Sequence, residues 1–463
     1  MNPLGVAGDV RLLVLGGEGV LFSESRQELY TLNASATLLW CLLEDGVSLD
    51  GLIDAYAHTF ALTRPASEHH VYPMMRRWFG LGHISDPEVP GPGCVSLSEA
   101  LAWLLTSREL RERFRLSPEA TGSALGVKSD EREAFVALDP DALDRQADVI
   151  TDRRSRQRLG APEGTVPLNA PELLNAAASV PLHAEAIRRC YRIIGTTFRV
   201  TLSPALDAVV HPVLVHLETD AASTADVVLH VRESNGGCVI FDGLMPVVWH
   251  ATTAMMVPSL KLLLRRLAVS RHTYFMEIHA GVVLLGNHVV LLPGSAGRGK
   301  TTLTAALVRS GGLYFSDEIA LLEGSSLSVR PMPLAMTIKP GSIAPLLHLY
   351  PALNALDEHL REDRQPVRYL PPPPEGRCPA DQPPRPARWV VFPRYEAGGE
   401  TRVNPLSEAQ GLRRLLDESL VLPDLLDRQK VERLVDWARQ VQFYDLRMSS
   451  LEAGVRAVHD LAT

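Results

Sequence analysis

The chain is short of cysteine, of lysine and of long apolar runs, and each shortage excludes something. Five cysteines in 463 residues (Cys41, Cys94, Cys190, Cys238 and Cys378) are odd in number, scattered and without CxxC spacing. That excludes a disulfide framework and leaves no cysteine pattern for zinc. No apolar stretch approaches the roughly 18 residues of a membrane span. The N-terminus, MNPLGVAGDV, lacks the basic-then-apolar pattern of a signal peptide. Net positive charge is lacking too. Lys and Arg number 46 against 54 Asp and Glu, a net charge of −8, where a nucleic-acid binder would present a basic surface. These features lead to the expectation of a cytoplasmic protein that engages neither nucleic acid nor membrane.

Lysine is the most informative scarcity. Only Lys128, Lys261, Lys300, Lys339 and Lys430 occur among the 46 basic residues. Codon bias toward arginine accounts for the scarcity. A lysine that persists in such a chain still marks a place where a compact point charge suits better than a planar fork.

The length suggests two to four domains at about 150 residues each. Residues 9–85 read as a small α+β module. Three short strands end in Leu29–Leu32, and Asn33 caps a helix over Ala34–Trp40. Ser48 caps a second helix with Leu52, Ile53, Tyr56 and Phe60 at helical spacing, and a third carries Val71, Met74, Met75, Trp78 and Phe79. Pro87, Pro90 and Pro92, with Gly91 and Gly93, mark a linker. Residues 95–158 read as helical, with Ser117-Pro118 and Asp139-Pro140 as helix starts. From about residue 185 the pattern turns to β. Asn235-Gly236-Gly237 and Gly286-Asn287-His288 are hairpin turns. The proline-rich stretch 371–386 reads as an exposed loop without packed structure, and 406–462 as helical.

The strongest signal is LLPGSAGRGKTTLTAAL, residues 291–307. Gly294-Ser295-Ala296-Gly297-Arg298-Gly299-Lys300-Thr301-Thr302 contains the GxxxxGK[ST] spacing of a phosphate-cradling loop. Glycines let such a loop curl until successive N–H groups face phosphate oxygens. Lys300 then reaches the β- and γ-phosphates, Thr301 ligates Mg²⁺, and the helix that follows adds its N-terminal dipole. ATP and Mg²⁺ are therefore the expected cofactors. Phosphoryl transfer also needs a carboxylate, and Asp317-Glu318 close an apolar strand just after that helix. The alternative for this pair is a solvated strand end. His279 ends the strand Tyr274–Ile278; a lone His on a strand is more often structural, and His272 and His288 lie close by.

In this order, Ile278-His279-Ala280-Gly281, then GSAGRGKT, then Phe315-Ser316-Asp317-Glu318, the chain resembles the HPr serine kinase/phosphorylase family. It is closest to HPr-kinase-related proteins associated with ribosomally made, modified peptides. Thr337-Ile338-Lys339-Pro340-Gly341 and Val391-Phe392-Pro393-Arg394-Tyr395 also look like segments of those proteins. The resemblance implies that Asp317 accepts the proton of a substrate hydroxyl, that Glu318 and Asp317 help Thr301 hold Mg²⁺, and that His279 and Lys300 assist catalysis. Lys339 is implied either as a contact to phosphate or substrate or as a structural residue. The chain departs from the family in two places. Its second acid is Glu where Asp is usual, and the Glu-x-Arg-Gly-x-Gly stretch of the bifunctional enzymes is missing, which argues against a phosphorylase reaction and against HPr as substrate.

Residues 9–85 resemble the PqqD-like domains called RiPP recognition elements, through Glu28-Leu29-Tyr30-Thr31-Leu32-Asn33, Ala34–Trp40 and Leu81-Gly82-His83-Ile84. Such modules bind a leader peptide by adding it as a strand to an open sheet edge; a plain winged helix with another partner is the alternative. Residues 95–158 have the look of a small helical module found in some peptide precursors and in small subunits of ring-cleaving dioxygenases, and equally of a spacer.

The expected architecture is thus a multidomain α/β and α+β chain. A winged-helix-like, PqqD-type module spans 1–86, a helical domain or spacer 95–175, and an HPr-kinase-like phosphate-loop domain 185–463. The implied activity is an ATP-dependent kinase that phosphorylates a hydroxyl, serine first, on a precursor peptide recruited through residues 9–85. A nucleotide-switched scaffold and nucleotidyl transfer remain as alternatives, and homo-oligomerisation is left open.

Overall fold

A computed structural model describes residues 5–24, 26–84, 95–144, 146–147, 186–220, 224–234, 237–250, 252–295, 297–361, 363–421 and 425–462. The linker prolines, residues 152–156, Asn235, Gly236, Cys94 and Ala296 lie outside them. The protein is mixed α/β with several sheets, and no helix among the described residues is long and apolar enough to cross a membrane. The four described cysteines are free thiols.

The chain divides into two units, and the division does not follow chain order. The first comprises residues 1–160, 408–413 and 424–439, and the second comprises 161–407, 414–423 and 440–463.

In the first unit, strands β1 (Val10–Leu15), β2 (Glu18–Ser23) and β3 (Glu28–Leu32) form an antiparallel sheet in the order β1-β2-β3. The Asn33 side chain accepts from Ala36 N at 2.9 Å and starts helix Ala34–Glu44. Ser48 caps helix Leu49–Phe60 in the same way, and helix Arg64–Gly80 follows. The helices Leu97–Thr106, Arg108–Leu116, Pro118–Leu125 and Arg132–Val136 share one apolar core with this module, from Val10 through Trp40 and Trp78 to Phe114, Phe135 and Leu143. Late residues complete the unit. Gln27 Nε2 donates to Leu426 O at 2.8 Å while Leu426 N donates to Gln27 Oε1 at 2.6 Å. Arg439 Nη2 donates to Val14 O at 2.6 Å.

The second unit opens with a five-stranded sheet of β4 (Ile187–Ile193), β5 (Thr196–Leu202), β6 (Val227–Ser234), β7 (Gly237–Asp242) and β8 (Met245–His250), in sequence order. Helices Pro204–Leu214 and Met256–Val269 bury their apolar faces in its core, with Phe198, Leu229 and Leu264 among the residues there. β9 (Tyr274–Ile278), β10 (Ala280–Leu285), β11 (His288–Pro293), β12 (Leu313–Ser316), β13 (Ala320–Glu323), β14 (Val329–Arg330), β15 (Met336–Ile338), β16 (Glu358–Leu360), β17 (Pro366–Leu370), β18 (Ala387–Tyr395), β19 (Arg402–Leu406), β20 (Leu420–Val421) and β21 (Gln442–Met448) make three further sheets. Their orders are β12-β10-β11-β18-β21-β19, β14-β13-β9-β20 and β15-β17-β16. The chain passes from one sheet to the next at His279, the single residue between β9 and β10.

Direction matters most in the six-stranded sheet. β10 is antiparallel to both β11 and β12, while β11, β18 and β21 are mutually parallel along the ladder. So β11, β12, β18 and β21 all point the same way. Their carboxyl ends open on one side, where open α/β sheets bind ligands. Helix Lys300–Arg309 packs on this sheet through Leu303 and Leu307, with Val458 of helix Leu451–Ala462 in the same core.

Two expectations need correction. The region 406–462 is not helical throughout: it also supplies β20 and the interior strand β21. β21 buries Phe443, Leu446 and Met448 but carries Asp445 and Arg447 between them, so its polar positions blend into the flanking amphipathic helices. The proline-rich stretch is also not an unpacked loop. Pro372 and Gly376 are buried, Arg377 bridges to Tyr314, Arg385 bridges to Val329, and Arg377 Nε donates to Pro372 O at 3.2 Å. Proline forbids helix and ladder bonds, but it does not forbid an extended strap pinned by its arginines.

Candidate active site

The loop after β11 turns because its glycines take backbone angles that side-chain-bearing residues avoid. Gly294, Gly297 and Gly299 have φ of 144°, 83° and 95°. Gly299 caps helix Lys300–Arg309 in the left-handed region, and a Cβ there would meet Met448 Cε at 2.9 Å. The end of β21 therefore abuts the loop directly. Ser295, Gly297, Arg298, Gly299, Lys300, Thr301 and Thr302 follow one another through the turn and into the helix, while Ala296 is outside the described residues.

Lys300 is 7% exposed, and its ammonium donates to Gly294 O and to Ser295 O, the latter at 3.2 Å. Among the described residues it forms no ion pair with a carboxylate. Burial, and then the Lys339 ammonium, push its pKa down to about 8. A buried cation held only by carbonyls of its own loop is an electrostatic vacancy for an anion. Thr302 Oγ1 is engaged elsewhere, donating to Ser342 at 2.8 Å.

Asp317 and Glu318 follow the end of β12, on the same side as the loop. Asp317 is 4% exposed. Tyr314 Oη donates to its Oδ1 at 2.9 Å, and Thr337 N donates to its Oδ2 at 2.8 Å. The Tyr314 hydroxyl also lies 2.7 Å from Leu334 O, so one phenolic proton has two acceptors. Burial raises the Asp317 carboxyl above its ordinary range, against the pull of Lys261. Glu318 is half-buried. Lys261 Nζ and Thr337 Oγ1 each donate to its Oε1 at 2.9 Å, and Arg265 Nη1 reaches Oε2 at 3.3 Å. Burial works to raise this carboxyl too, but the two cations overcome it and hold it far below the usual range.

His279 is exposed, and its backbone N–H donates to Ser419 O at 2.8 Å. The surrounding protein first, and the Lys300 charge second, hold its imidazole below the ordinary value, so it is neutral at pH 7.

A cavity of about 1320 Å³ gathers these groups: His279, Lys300, Thr301, Asp317, Glu318 and Lys339 all line it. Small-molecule pockets run to roughly 300–1,000 Å³, so this one is larger than a single small ligand needs. Tyr395, Met448, Ser449 and Ser450, at or just past the ends of β18 and β21, line it as well.

Sequence reading brought forward the loop, both acids and His279. It missed Lys261, Arg265 and the Thr337 pair of bonds. A signal existed: Lys261 and Arg265 stand one helical turn apart in an apolar helix, and Lys261 is one of only five lysines.

No group of three or more His, Cys, Asp or Glu side chains able to hold a metal occurs among the described residues. Mg²⁺ does not require one, since it is commonly held by one or two protein oxygens together with phosphates and water. Thr301 and Asp317 suit that pattern. No protein-family model matches the chain, and no curated protein matches it.

Proposed function

We propose that the second unit is an ATP-dependent kinase for a hydroxyl, serine first, on a ribosomally made precursor peptide, and that the β1–β3 module recruits the peptide through its leader. The observation that carries the reading is the shared cavity, in which a buried, anion-seeking Lys300 on a glycine-shaped turn faces the buried carboxylate of Asp317.

The roles follow from chemistry. Loop N–H groups and Lys300 take the phosphates, and Lys339 adds a second cation beside Lys300. Thr301 holds Mg²⁺, which when bound offsets the charge of the phosphate oxygens. Asp317 accepts the proton as the acceptor hydroxyl oxygen bonds to the γ-phosphorus. The bond from that phosphorus to the β–γ bridging oxygen breaks, and ADP leaves with its electrons. Tyr314 and Thr337 keep the Asp317 carboxylate oriented. Neutral His279 orients either reactant by hydrogen bonding. β3 is an outer strand of its sheet, which suits docking of a leader by strand addition. A docked leader raises the local concentration of the attached core peptide.

Incubation with γ-labelled ATP, Mg²⁺ and the precursor encoded beside the gene tests this reading. Label on the peptide with the wild-type protein and none with Asp317→Asn is the expected result. Tight nucleotide binding with no transfer would favour a scaffold, and a product heavier by AMP would mean nucleotidyl transfer.

A further inference from the structure

The family resemblance implies Glu318 as a metal ligand, and its bonds to Lys261 and Arg265 disagree. We propose that Glu318 is the anionic half of a buried clamp with Lys261 and Arg265, that it does not ligate Mg²⁺, and that Lys261 is the positioning residue for Asp317.

The bonds tie both cations to Glu318. Lys261 is 4% exposed, and its ammonium donates to Glu318 Oε1 and to Thr337 Oγ1, each at 2.9 Å. It also lies 5.0 Å from the centre of the Tyr369 ring, within cation–π range. Thr337 spends its own hydroxyl proton on Glu318 Oε1 and its N–H on Asp317 Oδ2. One residue thus supports both acids, and Lys261 fixes that residue. Arg265, one turn along the same helix, closes the other oxygen of Glu318. A metal ion at Glu318 would have to displace a buried ammonium or a guanidinium and strand it without its anion, a costly exchange. Two cations contact Glu318, so its carboxylate has no surplus negative charge to attract a divalent ion. Thr301 and Asp317, together with phosphate oxygens, are then the groups that would hold the metal.

This inference rests on the kinase reading for its catalytic part, so the test has two arms. The first titrates Mn²⁺ against the full-length protein with a non-hydrolysable ATP analogue, read by electron paramagnetic resonance. Glu318→Gln should leave Mn²⁺ affinity in the ternary complex within about threefold, because ligand geometry is untouched. A loss of about tenfold or more would overturn the proposal. With ATP and the precursor peptide in place of the analogue, Lys261→Met should lower kcat by about 10- to 100-fold with the nucleotide Kd unchanged, and Lys261→Arg should recover most of it. A Lys261→Met variant with normal kcat, or one whose loss lies wholly in nucleotide binding, would also overturn it. The second arm needs no nucleotide: urea midpoints for Lys261→Met, Glu318→Gln and the double variant. The double variant should lose less than the sum of the two single losses, since either change alone already breaks the Lys261–Glu318 pair, while Arg265 loses its partner in both Glu318→Gln proteins. Simple additivity would refute the clamp. A wild-type protein that binds no nucleotide would sink the kinase reading while this second arm still judges the clamp.

Discussion

Gly281 gives the sharpest test of how the loop is held. It lies in β10, beneath helix Lys300–Arg309, and a Cβ there would sit 2.0 Å from Thr304 Oγ1, 3.3 Å from Thr304 Cβ and 3.6 Å from Leu292 Cβ. Thr304 is fully buried, and its hydroxyl has no hydrogen-bond partner among the described residues. Rotating the threonine only exchanges its oxygen for its methyl, because the side chain is β-branched. Gly281→Ala should therefore destabilise the protein by about 1–3 kcal/mol, the usual cost of overpacking. In a Thr304→Ala background the 2.0 Å collision is gone and only the 3.3 Å contact with the Cβ at position 304 remains. There the same substitution should cost much less than in the wild type, because the closest atom has been removed. That rescue is the prediction, and urea midpoints of the four proteins measure it. Thr304 stands one turn after Lys300, so displacing the helix displaces the loop. Nucleotide affinity, followed by fluorescence, should fall with Gly281→Ala and return in the double variant. Additive effects, or a neutral Gly281→Ala, would refute the idea that strand and helix touch at this glycine.

Further predictions concern charge. Asp317→Asn should lower the transfer rate by about 10²–10⁴-fold and leave nucleotide binding measured without metal intact; a wild-type rate would remove Asp317 as base. Asp317 works ionised and its carboxyl is raised by burial, so kcat should fall with falling pH already above the ordinary carboxylate range. Tyr314→Phe removes a donor to the ionised form and should move that acid limb higher still; a limb that stays put would exclude the phenol as a support. Nucleotide affinity of the wild type should weaken as pH rises through about 8, where Lys300 loses its proton; a flat titration from 7 to 9 would contradict the loop assignment. Burial holds neutral His83 and His216 down to about 3 and about 4. Their contributions are whole above the unfolded value of about 6.5 and lost as pH falls toward the folded values, on the order of a few kcal/mol each. Urea midpoints should drop between pH 6.5 and 4, and His216→Phe should flatten part of that drop; an unchanged profile would show that His216 is protonated in the fold.

What the sequence made legible was local. Asn33 and Ser48 cap helices because their oxygens reach the N–H group three residues on, a rule written within one turn of chain. The loop at 294–301 was legible for the same reason: glycine is needed where φ is positive, and lysine follows at a fixed distance. What stayed hidden was long-range. Lys261 meets Glu318 across 57 positions, and no short pattern encodes that meeting. β21 was hidden because an interior strand with Asp445 and Arg447 lacks the apolar run that usually marks one. Residues 424–439 join the first unit through bonds such as Gln27 to Leu426, 399 positions apart, which no boundary drawn along the chain could anticipate.

The arrangement of charge sets an order of events. Lys261 and Arg265 satisfy Glu318, which leaves Lys300 and Lys339 as the cations that repel one another. An anion entering between them would relieve that repulsion. Lys300 meanwhile rests on the carbonyls of Gly294 and Ser295, neutral acceptors that an anionic phosphate oxygen would outcompete through its full charge. On the proposed function, nucleotide should therefore bind first and open that resting contact. Asp317 needs no such opening, because Tyr314 and Thr337 hold it ready whether or not phosphate is present. A site that is preorganised at the base and unsettled at the phosphate loop should bind its acceptor hydroxyl productively only after nucleotide. Initial-rate kinetics should then show an ordered mechanism with nucleotide leading, and an acceptor peptide that binds equally well without nucleotide, and competes with it, would mean that the base and the loop do not serve one reaction.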